Sequence, residues 1–179
     1  MSLKRVAFLD RDGVINKKLP EDNYVTKWGE FEFLAGTLEA IPRLNDSGFL
    51  VIVITNQRGI GRGLMTTEDL NDVHEKMVDV VEARGGSIDK IYFCPHDKND
   101  NCECRKPKPG MIFEAIDDLK SQGIEVDIKN SYFFGDSEKD IIAGRTAGVR
   151  TVAIGKPLKG CDAYAENLLA GVQNILNAS

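Results

Sequence analysis

Two aspartates one residue apart, Asp10 and Asp12, close the apolar run Val6-Ala7-Phe8-Leu9 and are followed by Gly13. Side chains alternate faces in extended backbone, so this spacing puts both carboxylates on one side and Arg11 on the other. Two carboxylates on one face repel. A protein keeps them there when a cation neutralises the pair or when the two take different chemical roles. The same residues also suit a strand that runs into an acidic turn at Gly13.

A second cluster is Cys94-Pro95-His96 and, five residues on, Cys102-Glu103-Cys104. It gathers three of the four cysteines and one of the two histidines into eleven residues. Three thiols and an imidazole suit tetrahedral zinc with no position left for substrate. Cys94, His96, Cys102 and Cys104 are therefore expected to hold a structural Zn²⁺ in a loop over residues 94–104, the alternative being unrelated thiol pairs. Disulfides are not expected in a reducing compartment. Metal ligation would fix a loop rich in Asp, Asn and Lys and so set Arg105 and Lys106, which follow it. Cys161 is left over and reads as a small buried or loop residue.

These groups need elements to hold them. Short runs rich in Val, Ile and Phe recur at residues 5–9, 49–55, 90–94, 131–135 and 150–154, with helical patterns at 37–46, 66–84, 111–122 and 138–147 between them. The second helix opens on Thr66-Thr67-Glu68-Asp69, a capping signal, and carries Leu70, Val73, Met77 and Val81 on one face. Within it His74, amid Asn71, Asp72 and Glu75, is expected to be a surface or half-buried histidine and not a catalyst. Alternating strands and helices predict an α/β fold, a doubly wound and mainly parallel sheet covered on both faces. Such sheets bind ligands beyond the carboxyl ends of their strands. Asp10 and Asp12, then Thr55-Asn56-Gln57, then Cys94-Pro95-His96, then Gly135-Asp136 with Asp140 all fall at such ends. That convergence favours a site over an acidic turn.

Composition sets the outer bounds. A chain of 179 residues, 42% of them hydrophobic, predicts one domain over 1–179 with a core that needs no disulfides. A formal charge of -5 with acids and bases interspersed advertises no basic face, so nucleic acid is not the expected partner. No apolar stretch approaches the ~20 residues of a membrane span, and residues 1–5 lack the layout of a secretory signal. A cytoplasmic monomer that acts on a small molecule, with no membrane association, is expected.

The ordered set Asp-x-Asp-Gly at Asp10 to Gly13, Thr55, Lys106, and Gly135-Asp136 with Asp140 resembles the haloacid dehalogenase superfamily of phosphotransferases, from Arg5 to about Ile154. Phosphate monoesters resist attack because the phosphoryl group is already anionic, so positioning and charge neutralisation dominate catalysis. The resemblance implies Asp10 as nucleophile, forming an aspartyl-phosphate, and Asp12 as general acid and then base. It implies Mg²⁺ between Asp10, the backbone carbonyl of Asp12 and Asp136, with Asp140 acting from behind through water. Thr55 and Lys106 would bind the phosphoryl oxygens. Close relatives often carry a lysine directly after the metal aspartate; here that position is Ser137, and no role is assigned to Lys139.

Cys-x-His, Cys-x-Cys-Arg-Lys-Pro, Asp-Arg-Asp-Gly and Thr-Asn-Gln together look like the branch of that superfamily that holds heptose-bisphosphate and histidinol-phosphate phosphatases. That branch lacks a large cap domain, and residues 16–34 are long enough only for a flap. Specificity is then expected from loops: Glu21, Asp22, Asn23 and Tyr24 in the flap, Asn56, Gln57 and Arg58 after the second strand, and Arg105. Arg58 and Arg62 read equally well as solvated charges. An arginine fork at Arg105 suits a second phosphate. The three arginines favour a sugar bisphosphate over histidinol phosphate, whose imidazole and amine would call for acidic or aromatic neighbours. A polynucleotide 3′-phosphatase shares the aspartate motif but fits the acidic balance poorly. A non-catalytic zinc-binding module leaves the aspartates without a reason.

Overall fold

The computed structural model describes residues 2–178; Met1, part of the segment read above for a signal layout, lies outside the described residues. The strands are β1 (Ser2–Leu9), β2 (Phe49–Asn56), β3 (Lys90–Cys94), β4 (Ile124–Val126), β5 (Tyr132–Gly135), β6 (Arg150–Ile154) and β7 (Ala163–Ala165). Five of them are the expected apolar runs. β4 and β7, three residues each, are additions.

All pairings are parallel, in the order β3-β2-β1-β5-β6-β7, with β4 alongside the start of β1. β1 is central: Ala7 lies opposite Val51 on one side and Tyr132 on the other. The chain winds outward from β1 in both directions, so β1 is the switch point beyond whose carboxyl end such sheets bind ligands.

The period of two explains how the sheet is covered. Ala7 and Leu9 of β1 face a core shared with α1 (Thr37–Asp46) and α5 (Leu168–Asn177), together with Met77 and Val81 of α2 (Thr67–Ala83). Val6 and Phe8 face the other core, with α3 (Gly110–Ser121) and α4 (Glu138–Ala147). Each large side chain buried this way contributes about 1.5–3 kcal/mol. α2 begins with the expected capping pair: Thr66 Oγ1 accepts from the Asp69 amide at 3.0 Å, and Asp69 Oδ2 accepts from the Thr66 amide at 2.8 Å.

Residues 16–34 form a flap. Lys17 N donates to Glu32 O at 2.8 Å and Leu34 N to Ile15 O at 2.9 Å, closing its base. A single helical turn (Trp28–Glu30) and the packed rings of Trp28, Phe31 and Phe33 fill it. Among the described residues no helix is long and apolar enough to cross a membrane.

Candidate active site

β1 ends at Leu9, and Asp10 is fixed just past it by its amide, which donates to Phe134 O at 3.0 Å. Asp10 Oδ1 accepts from the Arg11 amide at 2.9 Å and from Lys106 Nζ at 2.8 Å. Lys106, 3% exposed, also donates to Asp140 Oδ1 at 2.6 Å and to Ile54 O at 3.0 Å. Burial works against its charge, yet Asp10 and Asp140 hold its pKa above an ordinary lysine's. Burial and the Asp140 carboxylate push the Asp10 carboxyl up, Lys106 opposes them, and Asp136 adds to the crowd. Negative charge at this point is incompletely offset by the one ammonium.

Asp136 supplies the missing feature of a cation site. Its Oδ1 is buried and has no hydrogen-bond partner, and its carboxylate groups with those of Asp10 and Asp140 within 4.8 Å. Three hard oxygen donors, one with a free lone pair, fit a hard divalent cation such as Mg²⁺. Gly13 makes the approach possible: at φ 93 it takes a left-handed turn, and a Cβ there would collide with Asp136 Oδ2.

Asp140, expected beside the metal, is also tied into the fold. Its Oδ2 accepts from the Asp136 amide at 3.1 Å, the Ser137 amide at 3.1 Å and Ser137 Oγ at 2.9 Å, capping α4, while Oδ1 is ion-paired with Lys106. With those bonds made directly, the carboxylate works as a joint between the helix and the lysine. Ser137, where a lysine was the alternative, serves that cap.

The strand ends at Leu9, yet Asp10 and Asp12 still border one cavity while Arg11 does not. Arg11 turns inward and is fully buried, and its Nη2 reaches both Asp12 oxygens, at 2.9 and 3.2 Å. Asn16 Nδ2 donates to Asp12 Oδ1 and Gln57 Nε2 to Asp12 Oδ2, each at 2.9 Å. Burial would raise the Asp12 pKa, but Arg11 and these donors bring it below the usual carboxylate range. Asp10 and Asp12 are thus held in opposite electrostatic surroundings. Thr55 is buried, its Oγ1 accepting from Gln57 Nε2 at 2.9 Å.

His74 corrects the expectation of a surface or half-buried position: it is 6% exposed, with Nε2 3.1 Å from Arg11 Nη1. Burial, then the adjacent Arg11 charge, lowers its pKa to about 3. The sequence carried a signal for this, since residue 74 shares the helix face of Leu70, Met77 and Val81.

A cavity of about 520 Å³ opens above Asp10 and Asp12. Glu21, Asp22, Asn23 and Tyr24 form its flap wall, and Asn56, Gln57, Arg58, Arg105, Lys106, Asp136 and Asp140 also border it. Thr55 and Arg62 do not. Asn56 spends its amide on Lys106, donating to its carbonyl at 3.2 Å and accepting from its amide at 3.1 Å, so it frames the site. Arg58 and Arg62 are not free solvated charges. Arg58 is ion-paired with Asp22 and donates to Tyr24 Oη at 2.8 Å, and Arg62 pairs with Asp22 at 2.8 Å, latching the flap down.

Three lysines at this cavity carry no motif and were missed by sequence reasoning. Lys18 lies 2.9 Å from Asp136 Oδ2, and Lys98 and Lys139 border the same space. Burial, followed by Arg105, Lys98, Arg58 and Lys18, pulls the Lys139 pKa down, which marks this rim as crowded with positive charge.

Beside the rim lie the four zinc-type ligands. Cys94 Sγ is 3.4 Å from His96 Nδ1, 3.6 Å from Cys102 Sγ and 2.9 Å from Cys104 Sγ, and His96 Nδ1 is 3.2 Å from Cys104 Sγ. All four cysteines are free. Four converging soft donors within 4.8 Å of one another fit a zinc-binding site.

Comparison with known proteins decides the family. Residues 5–167 match the family model described as polynucleotide kinase 3 phosphatase. The chain is 36% identical to the D-glycero-beta-D-manno-heptose-1,7-bisphosphate 7-phosphatase of Haemophilus ducreyi, covering 97% of this chain and 94% of that one. It is 38% identical to the enzyme of the same name from Pseudomonas aeruginosa, covering 87% and 88%. The chain belongs to the heptose-bisphosphate 7-phosphatase family of the haloacid dehalogenase superfamily. Its fold matches the crystal structure of D,D-heptose 1,7-bisphosphate phosphatase from B. bronchiseptica complexed with magnesium and phosphate, at TM-score 0.84 and 34% identity over 100% of both chains. The protein is a phosphatase, and the fold is the expected doubly wound core.

Proposed function

We propose that this phosphatase removes the 7-phosphate of D-glycero-D-manno-heptose 1,7-bisphosphate through an aspartyl-phosphate intermediate. The observation that carries the reading is one cavity with a carboxylate nucleophile and ammonium at its floor and Arg105, Lys98 and Lys139 at its rim. A substrate phosphorylated at both ends matches positive charge at both places. Asp10 attacks phosphorus and the bond to the sugar oxygen breaks; Asp12, which rests as a carboxylate, relays to that oxygen the proton that the phosphate monoanion of the substrate brings with it. Asp12, again a carboxylate, takes a proton from water, whose oxygen attacks the acyl phosphate and frees Asp10. Lys106 holds the phosphoryl oxygens, with Thr55 proposed to assist from just below the cavity wall. Asp10, Asp136 and the Asp12 carbonyl, with Asp140 adjoining, would hold Mg²⁺, which when bound would supply the positive charge that lets an anion approach an anion. Zn²⁺ on Cys94, His96, Cys102 and Cys104 is structural.

The rest of the proposal is a single-domain monomer in the cytoplasm with no nucleic-acid partner. The net charge of -5 supports the last point and the free thiols suit a reducing compartment. The test is a hydrolysis screen with Mg²⁺ over both anomers of the heptose bisphosphate, sugar monophosphates, histidinol phosphate and a 3′-phosphorylated oligonucleotide. The expected result is preference for a bisphosphate with release of one phosphate. Preference for histidinol phosphate or the oligonucleotide would overturn it.

A further inference from the structure

The chemistry above uses Asp12 but leaves unexplained why a guanidinium and an imidazole are buried behind it. Arg11 is fully buried and its Nε has no hydrogen-bond partner, so it carries a desolvation cost that an apolar filler of this space would avoid. Its two ends are nonetheless fixed. Nη2 grips both Asp12 oxygens, and Nη1 meets His74 Nε2 at 3.1 Å. Arginine has no acceptor, so His74 Nε2 must accept, which puts the ring proton on Nδ1 and leaves the imidazole neutral. A neutral acceptor can orient the guanidinium without competing with Asp12 for its charge. The Phe93 ring packs against the imidazole at 6.3 Å between centroids and limits its rotation.

The carboxylate at the end of this chain is bound from behind by Arg11, Asn16 and Gln57, yet its side chain is 26% exposed and borders the cavity. It is held on one side and open on the other. We propose that His74 is a positioning residue for Asp12, acting through Arg11 so that α2 sets the direction in which the Asp12 carboxyl meets the leaving oxygen. This rests on the reading of Asp12 as the proton-transfer group.

The test separates the two claims by leaving group. A sugar oxygen must be protonated as it departs, whereas p-nitrophenolate departs unaided, so a misdirected Asp12 slows phosphoryl transfer from a sugar ester but not from p-nitrophenyl phosphate. Breakdown of the aspartyl-phosphate needs Asp12 for both esters. With the Mg²⁺-loaded enzyme and the best sugar phosphate from the screen, Asp12→Asn should lose about 10²–10⁴-fold in kcat while giving a burst of nitrophenol near one per enzyme from the aryl ester. Absence of that pattern overturns the role of Asp12 itself.

His74→Leu should repeat the pattern at smaller size: kcat on the sugar ester down about tenfold, KM unchanged, and the aryl burst rate kept. His74→Gln, whose amide oxygen can accept from Arg11, should restore most of the kcat. If His74→Leu melts early, His74→Phe keeps the ring volume without the acceptor and carries the same expectation. An unchanged kcat in the Leu or Phe variant, an equal loss in the aryl burst rate, or no rescue by Gln would overturn the positioning role while leaving that of Asp12 standing.

Discussion

The carboxylate centre and the thiol cluster each gather several ionisable side chains at strand ends, but the fold treats them differently. At the centre the protein supplies its own counter-charge: Lys106 lies between Asp10 and Asp140, and backbone amides at the start of α4 satisfy the rest of Asp140. At the thiol cluster, among the described residues, no cationic side chain pairs with the sulfurs, which hydrogen-bond with one another and with His96. The first is preorganised by sheet and helix, so the proposed Mg²⁺ there would serve chemistry. The second gathers four donors that fit zinc, and under the proposed assignment its loop would take its shape from that ion.

Experiments can break this contrast, the largest effect first. Asp10→Asn should lower turnover at least about 10⁴-fold, as removal of a nucleophile does, without moving the melting temperature downward, since a crowded carboxylate is relieved. Steady-state kinetics and a thermal melt check both halves. Lys106→Met should abolish measurable turnover and also cost about 3–5 kcal/mol, because two buried carboxylates lose their partner; urea unfolding reads the second effect. If stability is unaffected, the centre is not held together by Lys106 and the contrast fails.

Removing zinc should act the other way round. A zinc-selective chelator, with Mg²⁺ held in excess, should reduce activity by about 10–100-fold by loosening Arg105 and Lys106, while β1 and β5 stay folded by amide exchange. Full activity in protein shown to be zinc-free would end the mechanical role of the loop. In that zinc-free protein Cys102 should be the thiol alkylated first at pH 7. Burial alone would raise its pKa, but hydrogen bonds from the Arg105 amide and from the Cys104 and Cys94 thiols bring it to about 7, whereas burial and its neighbours push Cys104 up. Mass spectrometry of the labelled peptides decides. The smallest effect is expected at the flap: Arg58→Ala leaves Asp22 and Tyr24 to Arg62 alone and should raise KM by a few-fold with kcat nearly unchanged.

What the sequence disclosed follows the same divide. Motif residues at strand ends were legible because an apolar run that stops at a polar cluster marks both the strand and its functional edge, as at Leu9-Asp10 and Gly135-Asp136. The cysteine spacing was legible for a similar reason. Polar residues that reach the site from the flap or from a helix were not: Lys18 and Lys139 sit among other charges, and His74 sits among Asn71, Asp72 and Glu75, which disguise its inward face. α5 could have been found from the spacing of Leu168, Val172 and Ile175. β4 and β7 are too short, and β7 too exposed, to show a period.

The central place of β1 has a consequence for how the protein is made. β1 leaves the ribosome before its neighbours, but Asp10 takes its backbone partner from Phe134 and its ammonium from a residue 96 positions later. Lys106 in turn needs Asp140, a further 34 positions on. Synthesis at ~5–20 residues per second leaves the early strand waiting about 6–25 s for β5. During that interval β2 can cover only one of its edges. The site is complete only once β5 has taken the other edge and Asp136 and Asp140 have followed it.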